Sequence, residues 1–550
     1  MSPHMQVRLV RPMQTTVGTS SPGWNSAYSC KAARVGFLLW ILVICFLRSE
    51  AQEVPRIFFT DLTSGPATGG EADSGAFVTL YGVGFGAERH GSYVTVGGGH
   101  AFAYPVWSNE RVTIQLGRDT RSGTIVLHRD GVLESDGVPF RIRPGRVLFF
   151  PAAKTPLLRS AIEQLRPGDI LYLRDGTEET LLDRYDAAVN VMQSGKPDEP
   201  IALVAYPGAD VVIGSVDGTL IAARTPNVER TSDHWVVAGI HFRGRQEALD
   251  LTSSKDWRIV GNDFTCPHGF GPTGCVEISQ ASKIAFLGNR IHDVGQPGTT
   301  KVYHALYFST DSNHIDVGWN TIAKVRGCRG IQFHSTPEEA GTGLNQYDIR
   351  IHDNTIHDTV CDGINLATIN PAAGRIGVWN NLIYNVGEGP DPPDGSSDYA
   401  CIFVQGGSNN GPSGSGTVEI DHNTMYRCGG RRNTDSGAIS ISGGSPHQEV
   451  RLRNNIIVLD RGVPLLAPNS VRGLLVGSNN LIWWRNATSP PPSVSAGFLL
   501  EDPMLRDPAH ADFHLKDGSP AVQHGVHTGI TRTLEGRPRD ATLRPDVGAY

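Results

Sequence analysis

The stretch IRIHDNTI at residues 349–356 sets out the rule on which most of the chain is built. Two apolar residues alternate with others, a short gap follows, and then come Asn, a free position and an apolar residue. The phrase returns as WRIVGNDF (257–264), IAFLGNRI (284–291), IDVGWNTI (315–322), IGVWNNLI (376–383), VEIDHNTM (418–425) and VRLRNNII (450–457). WVVAGIHF (235–242) is a variant with Ile240 in place of the Asn. The repeated residues Asn262, Asn289, Asn320, Asn354, Asn381, Asn423 and Asn455 stand 27, 31, 34, 27, 42 and 32 residues apart, and Ile240 precedes Asn262 by 22. A minimum step near 22 with longer insertions is what the coil of a parallel β-solenoid requires.

Within each phrase the residues five and three before the Asn are apolar, as in Ile349 and Ile351, so they face inward on a strand of period two. Asn tolerates a left-handed turn and can stack its amide on the Asn of the next coil. A second strand follows each turn: GCVEIS from 274, HALYFS from 304, RGIQFH from 329, DGINLA from 362, ACIFVQ from 400 and GAISIS from 437. No coil buries its inner face alone, so stability comes from stacking. The repeat resembles the right-handed single-stranded parallel β-helix of the pectate-lyase-like superfamily, over residues 147–490. The fold class expected is therefore all-β.

Residues 54–146 read as short strands between glycine turns, including 76–81, 92–96, 111–115 and 123–128. The strings VTLYGVGFG, VTVGG, ERVTIQL after Trp107, and SGTIVLHRDG resemble an IPT/TIG immunoglobulin-like β-sandwich. That resemblance implies a scaffold or spacer. Residues 155–165 are expected to form an amphipathic helix capped by Thr155 with Pro156 at its first position, covering the open end of the solenoid. The polar, turn-rich segment 491–550 resembles the C-terminal segment of secreted bacterial β-helix proteins and is expected to cap the last coil.

Of 550 residues, 48 are Lys or Arg and 55 Asp or Glu, a net charge of −7. No cationic excess is available to neutralise phosphates, which argues against a nucleic-acid partner. The apolar run 35–47 follows Lys31 and Arg34 and precedes the triplet Ser49-Glu50-Ala51. It is too short to span a bilayer and reads as a secretory signal over residues 1–51, which places the protein in the periplasm, at the cell surface or outside the cell. Its removal leaves 43 cations against 54 anions, a net charge of −11. No stable membrane insertion is expected after cleavage, and a monomer is expected. Six cysteines remain; Cys266 and Cys275 can close a short loop, and Cys328 and Cys361 fall at equivalent points of adjacent coils.

Aligning the second strands yields outward columns. One holds His304, Arg329 and Asp362; the next holds Glu277, Tyr307, Gln332, Asn365, Phe403 and Ser440; a third holds Ser279, Ser309, His334, Ala367, Gln405 and Ser442. Coils stack about 4.8 Å apart, so these side chains form one patch, flanked by long loops at 293–303, 335–347 and 386–400. Elimination at a uronic acid needs a base, a cation for the carboxylate and an acid for the leaving oxygen. His304 or His334 is the candidate base, Arg329 the carboxylate clamp and Tyr307 the acid, with Gln332, Asp362, Asn365 and Gln405 as substrate-binding residues. Hydrolysis needs two carboxylates about 5–10 Å apart; Asp362 sits in the columns, with Glu277 nearly three coils away. The expected activity is thus a polysaccharide lyase acting on an acidic glycan, with a hydrolase, an epimerase or a non-catalytic glycan-binding protein as alternatives. Outer columns are polar and solvent-exposed by default, which is the plain reading of the same residues. IHDNTIHD (351–358) is the Asn-turn repeat before it is a metal motif, so no metal ligand is assigned there. The acidic loop 388–398 is the one candidate for Ca²⁺.

Overall fold

The computed structural model describes residues 54–550, apart from 132, 152–156, 184–185, 226–230, 299–301, 336–345, 391–398, 406–415, 431–435, 443–448, 472–474 and 487–496. The expected signal segment, the helix cap at Thr155 and Pro156, and most of the Ca²⁺ candidate loop lie outside the described residues. Among the described residues no helix is long and apolar enough to cross a membrane.

Parallel strands from successive coils build three sheets. The first has twelve strands, from Val147–Phe150 to Leu475–Ser478; the second has twelve, from Thr177–Glu179 to Phe498–Leu499; the third has nine, from Ala187–Asn190 to Ser436–Ser442. This is a parallel β-helix, and the repeat sets its register: Ile315, Ile349, Ile376 and Val418 lie side by side and fully buried. Aromatic residues stack along the interior, Phe242 on Phe264 at 5.2 Å and Phe308 on Phe333 at 4.6 Å. The helix Leu158–Glu163 closes the N-terminal end with Leu158 and Ile162 in the core. It is shorter than expected, and Leu157 occupies the N-cap without a side-chain cap hydrogen bond.

The repeated asparagines form a buried amide ladder. Asn354 Oδ1 accepts the backbone N–H and the Nδ2 of Asn320 at 3.0 and 2.9 Å, while Asn354 Nδ2 donates to Val317 O at 3.0 Å and Asn381 Oδ1 at 2.9 Å. The ladder extends one rung beyond the expected set, to Asn480. The left-handed residue is not the ladder Asn but the one before it: Gly261, Gly288, Trp319, Asp353, Asn380, His422, Asn454 and Asn479 all have φ between 53° and 62°. The Asn serves the turn by saturating its backbone. Asn354→Ala removes a partner from four buried groups that the interior cannot rehydrate, and is expected to cost about 2–4 kcal/mol in urea unfolding; a loss below about 1 kcal/mol would mean that water replaces the amide.

The sandwich is formed by a four-stranded antiparallel sheet (Arg56–Thr60, Phe77–Val83, Arg111–Gln115, Ala103–Trp107) and a second sheet built around Gly123–Arg129. It is no loose spacer. Its core merges with the outer face of the first sheet through Tyr172, Val204, Val236, Ala238 and Val260. Tyr172 donates its hydroxyl to Phe77 O at 2.7 Å, and Arg258 Nε donates to Asp61 O at 3.0 Å. Phe58 stacks on Trp319 at 5.6 Å. The C-terminal segment does more than cap the last coil. Phe513, Ala521 and Val547 pack on the second sheet at Leu382, Ile456 and Leu481, and Arg532 pairs with Asp136 of the sandwich. It therefore runs back along the helix as a strap.

His352, next to the sandwich contact, lies between two carboxylates: Nδ1 meets Asp353 Oδ2 at 2.7 Å and Nε2 meets Asp316 Oδ1 at 2.9 Å, with Trp379 stacked on the ring at 4.8 Å. Burial alone would lower its pKa, but the two hydrogen bonds and their charges outweigh this and raise it to about 9. A raised histidine stabilises fully below its unfolded value near 6.5, and that stabilisation is lost as pH rises through 9. Unfolding free energy is therefore expected to fall by about 3 kcal/mol between pH 6 and pH 10, with the decline flattened in His352→Gln. An equal slope in the variant would assign the loss to other groups.

Candidate functional site

The sandwich packs on the first sheet and the strap on the second, and neither contributes to the outer face of the third among the described residues. The third sheet carries the polar columns. Register places His304 beside Gly274, and Tyr307, Gln332, Asn365 and Phe403 in one line across four coils. Ser309 lies beside His334. Alternation explains this arrangement: Leu306, Ile331, Ile364 and Ile402 face the core, which turns their neighbours outward.

These columns are not the exposed surface expected of an outer face. His304 is 3 % exposed, Gln332 3 %, Asn365 1 % and Asp362 0 %. Tyr307 and Arg329 are buried as well, while His334 and Gln405 are half-buried. Asp362 is the anchor of the group. Its Oδ2 accepts from Arg329 Nε at 3.1 Å and Asn365 Nδ2 at 2.8 Å, and its Oδ1 accepts from Ala400 N–H at 2.9 Å. Burial raises the Asp362 pKa, opposed chiefly by the charge of Arg329. Arg329, the candidate clamp, thus already holds a carboxylate of its own chain. Gln405 Oε1 accepts the N–H of Thr368 at 3.0 Å, so its carbonyl is also engaged.

Burial, and then the charges of Arg329 and His334, hold the His304 pKa well below the ordinary imidazole value, so the ring is neutral at physiological pH. It meets Tyr307 edge-on at 5.1 Å. Three buried atoms here have no hydrogen-bond partner: His304 Nδ1, Gln332 Oε1 and Asn365 Oδ1. A buried polar atom without a partner is uncommon and calls for a physical account; these three stand on consecutive coils of one face.

The same face continues toward the N-terminus with residues the sequence columns left out. Arg224 lies beside Asp250, and Asp250 beside Glu277. Arg224 pairs with Asp250 at 2.9 Å, and Ser309 donates to Glu277 at 3.2 Å. The Thr273 hydroxyl bridges Glu247, at 3.0 Å, and Glu277. A shared hydroxyl keeps the two carboxylates within about 6 Å. Burial, then Asp250 and Glu277, push the Glu247 pKa up to about 8, so it carries its proton at neutral pH. The signal was present: EALDLT (247–252) has the spacing of GCVEIS, but its coil carries the Asn-less variant phrase that precedes the regular repeat. Among the described residues no group of three or more His, Cys, Asp or Glu is arranged to hold a metal ion.

No family model matches the chain, and no curated protein matches it. Among solved structures it is similar to the pectate lyase Pel9A, at 14 % identity over 74 % of this chain and 96 % of that one, with a TM-score of 0.47. It is also similar to an alginate lyase from Paenibacillus sp. str. FPU-7, at 13 % identity over 57 % and 93 % of the two chains, with a TM-score of 0.37. A PL6 family alginate lyase, AlyGC, aligns at 14 % identity over 74 % of this chain and 58 % of its own, with a TM-score of 0.35.

Proposed function

We propose that the protein is a polysaccharide lyase of the extracytoplasmic space, cleaving a uronate-containing glycan by β-elimination on the outer face of the third sheet. The observation that carries this reading is the row of unpartnered buried atoms at His304, Gln332 and Asn365, set beside a neutral imidazole and a guanidinium. Sugar hydroxyls and a carboxylate supply the missing partners. His304 takes the proton from C5 of the uronate, the C5–H electrons form the C4–C5 double bond, and the bond from C4 to the leaving oxygen breaks. Tyr307 protonates that oxygen. Arg329 steadies the substrate carboxylate as negative charge builds on it, and His334, two columns along, is a second proton acceptor. Gln332, Asn365 and Gln405 form the wall against which the sugar sits, and Asp362, enclosed behind them, holds Arg329 in place instead of touching the substrate. Three disulfides fit an oxidising compartment.

The test is incubation of the protein with a panel of uronate polysaccharides, following the ultraviolet absorbance of unsaturated ends. Absorbance growing with one uronan supports elimination, and none with any uronan overturns it. A change in uronate configuration without chain scission would identify an epimerase instead.

Hydrolysis is the second reading, favoured by the pair Glu247 and Glu277. Their separation suits a retaining mechanism, and the proton on Glu247 suits a general acid. New reducing ends from a glycan without unsaturation, abolished by Glu247→Gln and preserved in His304→Ala, would establish it.

A further inference from the structure

Six cysteines occur among the described residues, and all are paired: Cys266–Cys275, Cys328–Cys361 and Cys401–Cys428. Cross-links placed only for stability could sit anywhere along twelve coils. These three gather at one corner, where the chain passes between the second sheet and the third. They also flank a single column. Cys275 follows Gly274, the register partner of His304; Cys328 precedes Arg329; Cys361 precedes Asp362; and Cys401 follows Ala400, whose N–H holds Asp362. The middle bridge is axial, joining equivalent points of two adjacent coils with a Cα separation of 4.7 Å. It is fully buried and packs with Tyr399. The Cys361 N–H donates to Cys328 O at 2.9 Å, and the Gly330 N–H to Asp362 O at 3.0 Å, so bridge and ladder meet at the ion pair.

We propose that the Cys328–Cys361 bridge is a positioning element: it sets the axial distance between Arg329 and Asp362, and so holds the guanidinium against the carboxylate and beside His304. The inference rests on the elimination reading for its kinetic consequence, while its geometric core is independent of that reading. A parallel pair already keeps about 4.8 Å between coils. At this corner, however, the strands begin only at Ile331 and Ile364, two residues after Arg329 and Asp362. The ion pair therefore sits just ahead of the strands, where the backbone hydrogen bonds from Cys361 N–H to Cys328 O and from Gly330 N–H to Asp362 O already span the two coils and the bridge adds a covalent restraint to them.

The experiment compares wild type with the Cys328→Ala/Cys361→Ala protein, and with Leu452→Ala as a control for lost stability. Leu452 is fully buried in the first sheet, on a later coil. Two readouts are taken: steady-state kinetics on the uronan that wild type cleaves, and the NMR titration of the His304 imidazole. The bridge-free protein is expected to lose about 100-fold in kcat with KM little changed, the scale of a misplacement near 1 Å. Its His304 titration should move up toward the ordinary imidazole value as water reaches the loosened pair. Leu452→Ala should lower the melting temperature and leave both readouts in place. If the double variant does not fold, wild type reduced after folding, with loss of the bridge confirmed by thiol alkylation and mass spectrometry, gives the same comparison. A lowered melting temperature with unchanged His304 titration overturns the proposal and leaves the bridge a mere staple. Should no uronan be cleaved by wild type, the elimination reading falls, and the titration alone still decides the role of the bridge.

Discussion

His304→Ala is expected to lower the rate of elimination by about 10²–10⁴-fold, the range over which a positioned base contributes. The loss should fall on kcat and kcat/KM alike, because the base acts in the transition state and not in binding. The wild-type pH profile carries a matching signature. Burial and the neighbouring Arg329 and His334 hold the His304 pKa well below 6.5, and a base must be unprotonated to act. Activity should therefore persist on the acid side of the ordinary imidazole value and fail only below the depressed one. An acid limb centred at or above 6.5 would remove His304 from the role.

Asp362→Ala is expected to destabilise the protein by about 3–5 kcal/mol, because it removes a carboxylate that a buried guanidinium, a buried amide and a backbone N–H all bind. Arg329 is only 11 % exposed at its side chain, and the same carboxylate also satisfies Asn365 Nδ2 and the Ala400 amide. Urea unfolding at neutral pH measures the loss. The double change Asp362→Ala/Arg329→Met should recover part of it, since an apolar side chain of similar volume needs no counter-charge. Equal destabilisation in the double variant would show that the cost lies with Asn365 and Ala400 and not with the guanidinium.

Parts of the site are legible in the sequence. The columns that place Tyr307 beside Gln332 and Asn365, and His334 beside Ser309, follow from aligning second strands on their apolar residues. Period two leaves no freedom once the inner face is known. The Asn phrase was legible for a similar reason: a rung needs a side chain that both donates and accepts, at a fixed offset from two apolar residues. What failed to emerge was anything depending on a coil with an irregular phrase. Glu247, Asp250 and Arg224 precede the regular repeat, so their columns were not drawn and the Glu247–Glu277 pair was missed. The third disulfide, Cys401–Cys428, was missed because its partners lie on different sheets of neighbouring coils, a geometry no spacing rule encodes.

By itself, then, the sequence determined a stacked β-coil, its amide ladder and the identity of most side chains on its outer faces. All of these are set by residues within one or two coils of each other, where spacing translates directly into position. Tertiary structure decided which face the sandwich and the strap leave uncovered. The sandwich settled on the first sheet and the strap on the second through contacts between distant parts of the chain, such as Tyr172 with Phe77 O and Phe513 with Tyr384. It also decided that His304, Gln332, Asn365 and Asp362 on the third face would be buried, with His304 neutral and Asp362 wholly enclosed. Burial and the pKa values that follow from it depend on everything packed around a group, and no local pattern of residues contains that sum.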